Sequence, residues 1–262
     1  MLFRCRMTDS QRPSEPAAVA RVEIPRRGYR IDPKRALIAA ALCWIGFAMM
    51  VAAVQAGRTG GLDSAGLLFW RGGAELRPVG PEWLLEGVRD ITALGGVLLR
   101  HVFVILALVA LLFLRLRREA LLLAGTVIGG WVVNTLLKTV VGRPRPEIVP
   151  HLTDAGGASF PSGHSFNSAV VYIGIALAFA AMSPRQSVRV TIVATAAALS
   201  MLVALSRVWL GVHFPSDVIA GWLGGAGWAL LAAGLLDRPS RAAAHEMKEA
   251  LEDVTPGQVT ED

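Results

Sequence analysis

Long apolar runs alternate with short polar interruptions along most of this chain. The first run, Leu37 to Ala56, is about 20 residues long, enough to carry a helix across a hydrocarbon core of roughly 30 Å. The second lies within Ile91 to Leu114; Arg100 and His101 interrupt it, and Val102 to Leu114 is its most apolar part. Four more cover Ala120 to Leu137, Phe166 to Met182, Val190 to Leu205 and Val218 to Leu236. The pattern predicts an all-α fold, a polytopic six-helix transmembrane bundle, because a spanning segment must satisfy its own backbone polar groups. Residues 57–83 form a Gly- and Pro-bearing connection. Within it, Asp63 to Trp70 predicts a short interfacial helix, with Trp70 and Trp83 at headgroup depth.

The ends differ from the middle. Residues 1–36 hold nine Lys or Arg against four Asp or Glu, with Pro13, Pro16, Pro25 and Pro33, and predict a flexible basic tail. Residues 237–262 form a second polar tail with seven acids and three Lys or Arg. Residues 37–236 are then one six-span domain. Six crossings put both tails on one side, together with Arg115, Arg117, Arg118, Arg185 and Arg189. The positive-inside rule makes that side the cytoplasm. The first run follows a polar stretch too long for a cleavable signal peptide, so it is expected to stay as an anchor.

Composition agrees: 53% of residues are hydrophobic, 18% charged, and mean hydropathy is +0.50, whereas soluble domains are about one quarter charged. The formal charge of +6 has no accompanying stripe of aromatics, which argues against nucleic acid; attraction of cytoplasmic loops to anionic lipid accounts for it. Cys5 and Cys43 specify neither a disulfide framework nor a metal cluster, and Cys43 is expected to be a small packed residue. Gly125, Gly129 and Gly130, and Gly221, Gly224, Gly225 and Gly227, permit close helix packing.

Three clusters carry the chemistry: Lys138 to Pro146, Ser159 to Ser165 and Ser206 to Asp217. All three fall on the extracytoplasmic side, where positive charge runs against the orientation rule and a phosphate is its natural partner. His213 and Asp217, four positions apart, suit a nucleophile and its orienting carboxylate; they equally suit an interfacial His beside a helix-capping Asp. His164 follows Ser162 and Gly163 directly before an apolar helix. Phosphate oxygens can rest on such helix-start amides while His164 protonates a leaving oxygen; a bare helix start with a Ser cap is the alternative. Lys138, Arg145 and Arg207 can hold phosphoryl oxygens, although Lys138 and Arg207 also suit snorkelling to headgroups. Arg143 suits either the site or a lipid phosphate, and Asn134 suits helix packing. Zinc, calcium and nucleotide-loop motifs are absent, as is a serine nucleophile elbow.

Together the clusters resemble the signature of the type 2 phosphatidic acid phosphatases: Lys-x6-Arg-Pro as Lys138 with Arg145-Pro146, Pro-Ser-Gly-His as Pro161 to His164, and Ser-Arg-x5-His-x3-Asp as Ser206-Arg207 with His213 and Asp217. The resemblance spans roughly residues 37–236. It implies His213 as nucleophile, Asp217 as its orienting carboxylate and His164 as general acid, with Lys138, Arg145, Arg207, Ser162 and the Gly163 amide holding phosphate and no metal or other cofactor required. The expected reaction is hydrolysis of a lipid phosphomonoester or diphosphate through a phosphohistidine. Undecaprenyl diphosphate is slightly favoured over phosphatidic acid and phosphatidylglycerol phosphate. Phosphotransfer to another acceptor and a non-enzymatic transport or lipid-binding role stand as alternatives. The oligomeric state does not follow from the sequence.

Overall fold

The structure is a computed structural model describing residues 32–183 and 185–253, with side chains described as far as Leu235. The tail expected over residues 1–36 therefore lies mostly outside the described residues, as does 254–262. The first helix, α1 (Pro33–Gln55), begins four residues before the apolar run. Asp32 caps it by accepting a hydrogen bond from the Lys34 amide at 3.0 Å, and Pro33 occupies the first turn, where its missing N–H costs nothing. Next come α2 (Gly60–Leu68), β1 (Arg71–Gly72) and β2 (Arg77–Pro78) paired antiparallel, α3 (Glu82–Leu94), α4 (Val97–Phe113), α5 (Arg117–Val141), α6 (Gly163–Ala180), α7 (Gln186–Trp209) and α8 (Pro215–Asp253). The short helix expected over Asp63 to Trp70 is α2, which starts three residues earlier and ends at Leu68.

Among the described residues, five helices are each long and apolar enough to cross a bilayer: α1, α5, α6, α7 and the Pro215–Leu235 part of α8. Counted as one broken span, the bent pair α3–α4, which turns by 50° at its break, makes a sixth. The expectation of one run within Ile91 to Leu114 is thus corrected. Ile91 to Leu94 end α3, and α4 starts only after Gly95 and Gly96. The buried Arg100 explains part of the break. Its Nη1 donates to the Gly95 carbonyl at 3.2 Å, capping the end of α3 from the first turn of α4. At the other end of the chain α8 does not stop at Leu236 but runs on to Asp253, into the segment expected to be a polar tail.

The bundle is built around α6, which is 78% buried against only 11% for α1. It packs on α5, α7 and α8, and α1 lies against α8. Leu123 of α5, Ala169, Ile173 and Leu177 of α6, and Ala226 and Ala229 of α8 share one core; Cys43 packs at its edge. Small residues set the approach. A Cβ on Gly225 would lie 2.1 Å from the Phe166 carbonyl oxygen, and one on Gly221 2.7 Å from that of Ser162. Gly129, Gly130, Gly224 and Gly227 are similarly crowded, whereas Gly125 has nothing within 4 Å and takes no part in the expected packing. Ile38, Leu42, Ile45 and Met49 make an exposed apolar stripe on α1, the face a lipid-embedded helix presents outward. Because successive crossings alternate in direction, the starts of α4, α6 and α8 and the ends of α5 and α7 meet at one end of the bundle.

Candidate active site

At that end the three sequence clusters come together. Lys138 lies in the last turn of α5, before the left-handed Gly142 that closes the helix (φ 58°). Its Nζ donates to the Ala158 carbonyl at 2.6 Å, and a Cβ on Gly163 would sit 3.5 Å from its Cε. Arg145, just past α5, donates from Nη2 to Gly156 O at 2.7 Å, from Nε to Gly157 O at 3.1 Å and from Nη1 to Val212 O at 2.7 Å. Arg207 lies in the last turn of α7 and is 3% exposed. Its Nη1 donates to Thr92 Oγ1 at 3.0 Å, while its Nε is buried without a partner. That unmet donor fits an anion better than a purely structural arginine. Lys138 and Arg207 thus turn into the protein rather than snorkelling outward.

His213 stands in the turn between α7 and α8 and is 2% exposed. His213 Nδ1 faces Asp217 Oδ2, the carboxylate the sequence paired with it, at 3.5 Å, and a serine hydroxyl lying beside both atoms joins them. Ser159 Oγ lies 3.2 Å from His213 Nδ1 and donates to Asp217 Oδ2 at 2.5 Å. These partners assign the proton to Nδ1, so Nε2 is unprotonated and accepts a hydrogen bond from Arg145 Nη1 at 3.2 Å. Burial lowers the His213 pKa to about 4, with the Asp217 carboxylate opposing and the Arg145 and Arg207 charges adding to the drop. The ring is therefore neutral and nucleophilic at pH 7. Burial likewise lowers the Arg145 pKa, again opposed by Asp217; its guanidinium stays charged.

Asp217 is fully buried and saturated with donors. Besides Ser159, Oδ2 accepts from the Phe214 amide at 3.0 Å, closing the first turn of α8, and Oδ1 accepts from Arg143 Nη1 at 2.6 Å. Its main-chain oxygen accepts from the Ser162 amide at 3.0 Å, which docks the Pro-Ser-Gly-His turn onto α8. Ser162 is the N-cap of α6. Its hydroxyl oxygen accepts from the Ser165 amide at 3.4 Å and the Ser165 hydroxyl at 2.9 Å. Gly163 and His164 follow as the first two residues of that helix. His164 lies within electrostatic range of Arg207, His213, Arg100 and Arg145. A Cβ on Gly95 would come 3.1 Å from His164 Cδ2 and 2.3 Å from Val203 Cγ1, so the α3–α4 break approaches the imidazole only because this residue has no side chain.

Two polar residues escaped the sequence reading. Ser159 opens the second cluster but has no signature role. Asp63 of α2 lies 80 positions from its partner Arg143, whose Nη2 donates to Asp63 Oδ2 at 2.7 Å. Arg143 is thereby held between Asp63 and Asp217 rather than by a lipid phosphate. Asn134 is buried beside Gly163. Among the described residues no three His, Cys, Asp or Glu gather as a metal site.

The family model of the PAP2 superfamily matches residues 118–239, the stretch that contains all three clusters. Phosphatidylglycerophosphatase B of Bacillus subtilis (strain 168) is 35% identical over 141 residues, covering 53% of this chain and 69% of that protein. The chain belongs to the PAP2 superfamily. The crystal structure of a transmembrane PAP2 type phosphatidylglycerolphosphate phosphatase from Bacillus subtilis superposes with a TM-score of 0.64 at 28% identity, over 75% of this chain and 95% of that one. Lipid A 1-phosphatase of Rhizobium johnstonii is 38% identical over 117 residues, and undecaprenyl-diphosphatase BcrC of Bacillus subtilis is 32% identical over 110. The chain spans 44% and 50% of those two proteins. It is thus a PAP2-type phosphatase and an integral membrane protein whose crossings match the PAP2 transmembrane fold.

Proposed function

We propose that this PAP2 phosphatase hydrolyses a lipid phosphomonoester or diphosphate without a metal ion, through a phosphohistidine on His213. The observation that carries the reading is the His213 ring itself: buried, neutral, its Nδ1 turned to Ser159 and Asp217, its unprotonated Nε2 accepting from the phosphate-binding candidate Arg145, which a phosphoryl oxygen can take over. Nε2 attacks phosphorus, the bond to the lipid oxygen breaks, and His164 gives that oxygen a proton. Water then attacks the phosphohistidine, His164 takes its proton back, and inorganic phosphate leaves. Lys138, Arg145 and Arg207, with the Gly163 amide and Ser162, hold the phosphoryl oxygens as charge develops. The Arg207 Nε without a partner supports that role.

Undecaprenyl diphosphate is the favoured substrate. The buried Arg100 beside His164 adds a fourth cation on the leaving-group side, where a diphosphate releases a charged lipid monophosphate and a monoester releases a neutral alcohol. Phosphatidylglycerol phosphate is the second reading, supported by the names of the Bacillus subtilis relative and of the superposed structure. The site is assigned to the extracytoplasmic face and both termini to the cytoplasm, on the strength of Arg115, Arg117, Arg118, Arg185 and Arg189 at the opposite end of the crossings.

The test is phosphate release by the reconstituted full chain from undecaprenyl diphosphate, phosphatidic acid and phosphatidylglycerol phosphate, with radiolabelled phosphate to trap the intermediate. H213A is expected to lose turnover and acid-labile label together, and a chelator is expected to leave the parent rate unchanged. Persistent label in H213A, or activity restored after chelation by one divalent ion, overturns the mechanism.

A further inference from the structure

Asp63 is 1% exposed, lies in a short helix outside residues 118–239, and directs its carboxylate to Arg143 and Ser216, neither of them a signature residue. Its two oxygens nevertheless converge on the start of α8. Oδ1 accepts from the Ser216 amide at 3.0 Å, and Oδ2 accepts from the Ser216 hydroxyl at 2.9 Å and from Arg143 Nη2 at 2.7 Å. Arg143 donates its other nitrogen, Nη1, to the Ser216 hydroxyl oxygen at 2.7 Å and to Asp217 Oδ1 at 2.6 Å. Its guanidinium also lies 4.1 Å over the Phe214 ring. One guanidinium therefore bridges two buried carboxylates.

The rest of α2 fits this task. A Cβ on Gly66 would fall 2.4 Å from Pro215 Cγ, so the helix rests directly on the first turn of α8. Leu67, fully buried, packs with Val218, Ala204 and Val208 of the two helices flanking His213. Asp63 also places its carboxylate at a helix N-terminus, where the helix dipole and the unpaired amides favour negative charge.

We infer that Asp63 is a positioning residue of the active site: through Arg143 and Ser216 it fixes Asp217, and with it the Ser159–His213 relay. Removing the Asp63 charge leaves Arg143 with a single carboxylate, free to turn about the Asp217 oxygen and to draw it away from Ser159. The inference rests on the reading of His213 and Asp217 as the catalytic pair.

The test uses the full chain purified in detergent, with phosphatidic acid and farnesyl diphosphate as micellar probes, comparing the parent with D63N, R143Q, D63N/R143Q and H213A. The expected result is a D63N protein with parental elution on size exclusion, kcat reduced at least tenfold and KM within twofold. In the double variant kcat stays within twofold of R143Q alone, because both changes break the same linkage. A D63N kcat within twofold of the parent, a change confined to KM, or losses that multiply in the double variant would each overturn the inference. If D63N does not fold, S216A replaces it: a kcat loss of threefold or more at constant KM supports the linkage and an unchanged kcat refutes it. Turnover surviving in H213A would instead sink the catalytic assignment, a failure separate from that of Asp63.

Discussion

Replacing Ser159 with alanine is the sharpest probe of the relay. The hydroxyl is fully buried, so it does not meet solvent, and it is one of three donors to the side chain of Asp217. At 2.5 Å the bond to Oδ2 is a short, charge-assisted one, a class worth about 1.5–3 kcal/mol. His213 Nδ1 would lose its 3.2 Å partner and keep only the longer contact to the carboxylate at 3.5 Å, a weaker hold on the ring. If the lost interaction is expressed in the transition state, where the ring gains positive charge, kcat falls by about 10- to 100-fold, since 1.36 kcal/mol is a factor of ten. KM should hardly move, because Lys138, Arg145 and Arg207, proposed to bind the phosphate, hydrogen-bond to groups other than Ser159 Oγ. Steady-state phosphate release from detergent-purified S159A, with its melting temperature measured alongside, separates kcat from stability. A folded S159A within twofold of the parental kcat, or one altered only in KM, would refute the relay and leave Asp217 acting on His213 directly.

Two other outcomes follow from the same geometry. Because the folded His213 titrates at about 4 and an unfolded one near 6.5, the unfolded chain binds the extra proton between those values. Stability should therefore fall as pH drops from 6.5 to 4, by about 3 kcal/mol from this group, and a melting-temperature series should show a shallower acid slope in H213N; parallel slopes would contradict the buried neutral ring. For helix packing, G225A would force a Cβ to within 2.1 Å of a backbone oxygen of α6 while G125A meets nothing within 4 Å, so a melting temperature lowered by at least several degrees in G225A and unchanged or raised in G125A is expected, and equal effects would deny that α8 packs at glycine on α6.

Much of this was legible in the residues. Hydropathy marks the crossings because a bilayer requires uninterrupted apolar length, and the signature spacings mark His164, His213, Asp217 and the three cations because their positions near helix ends are set by local sequence. The α3–α4 break was not legible. Ile91 to Leu114 is apolar enough to pass as one run, and what divides it is Gly95 pressed between His164 and Val203 with Arg100 folded back onto its carbonyl. Asp63 and Ser159 were missed for a related reason. Each acts through a partner at least 54 positions away, and periodicity records only neighbours on the same helix. Asp63 moreover opens the stretch read as an interfacial helix, where a lone acid passes for a solvent-facing residue. The continuation of α8 to Asp253 was missed because a polar segment carries no hydropathic reason to be helical.

The recognisable stretch of this chain and its working stretch have different borders. Residues 118–239 contain every signature residue, yet Arg143 borrows a carboxylate from α2 and Arg207 a hydroxyl from Thr92 of α3. A fragment trimmed to the conspicuous part would keep all its catalytic letters while stripping two of its arginines of their counterparts. Swapping that fragment between relatives would therefore transplant the reagents without the vise that grips them, and chimaeras should be cut ahead of Gly60 to remain whole.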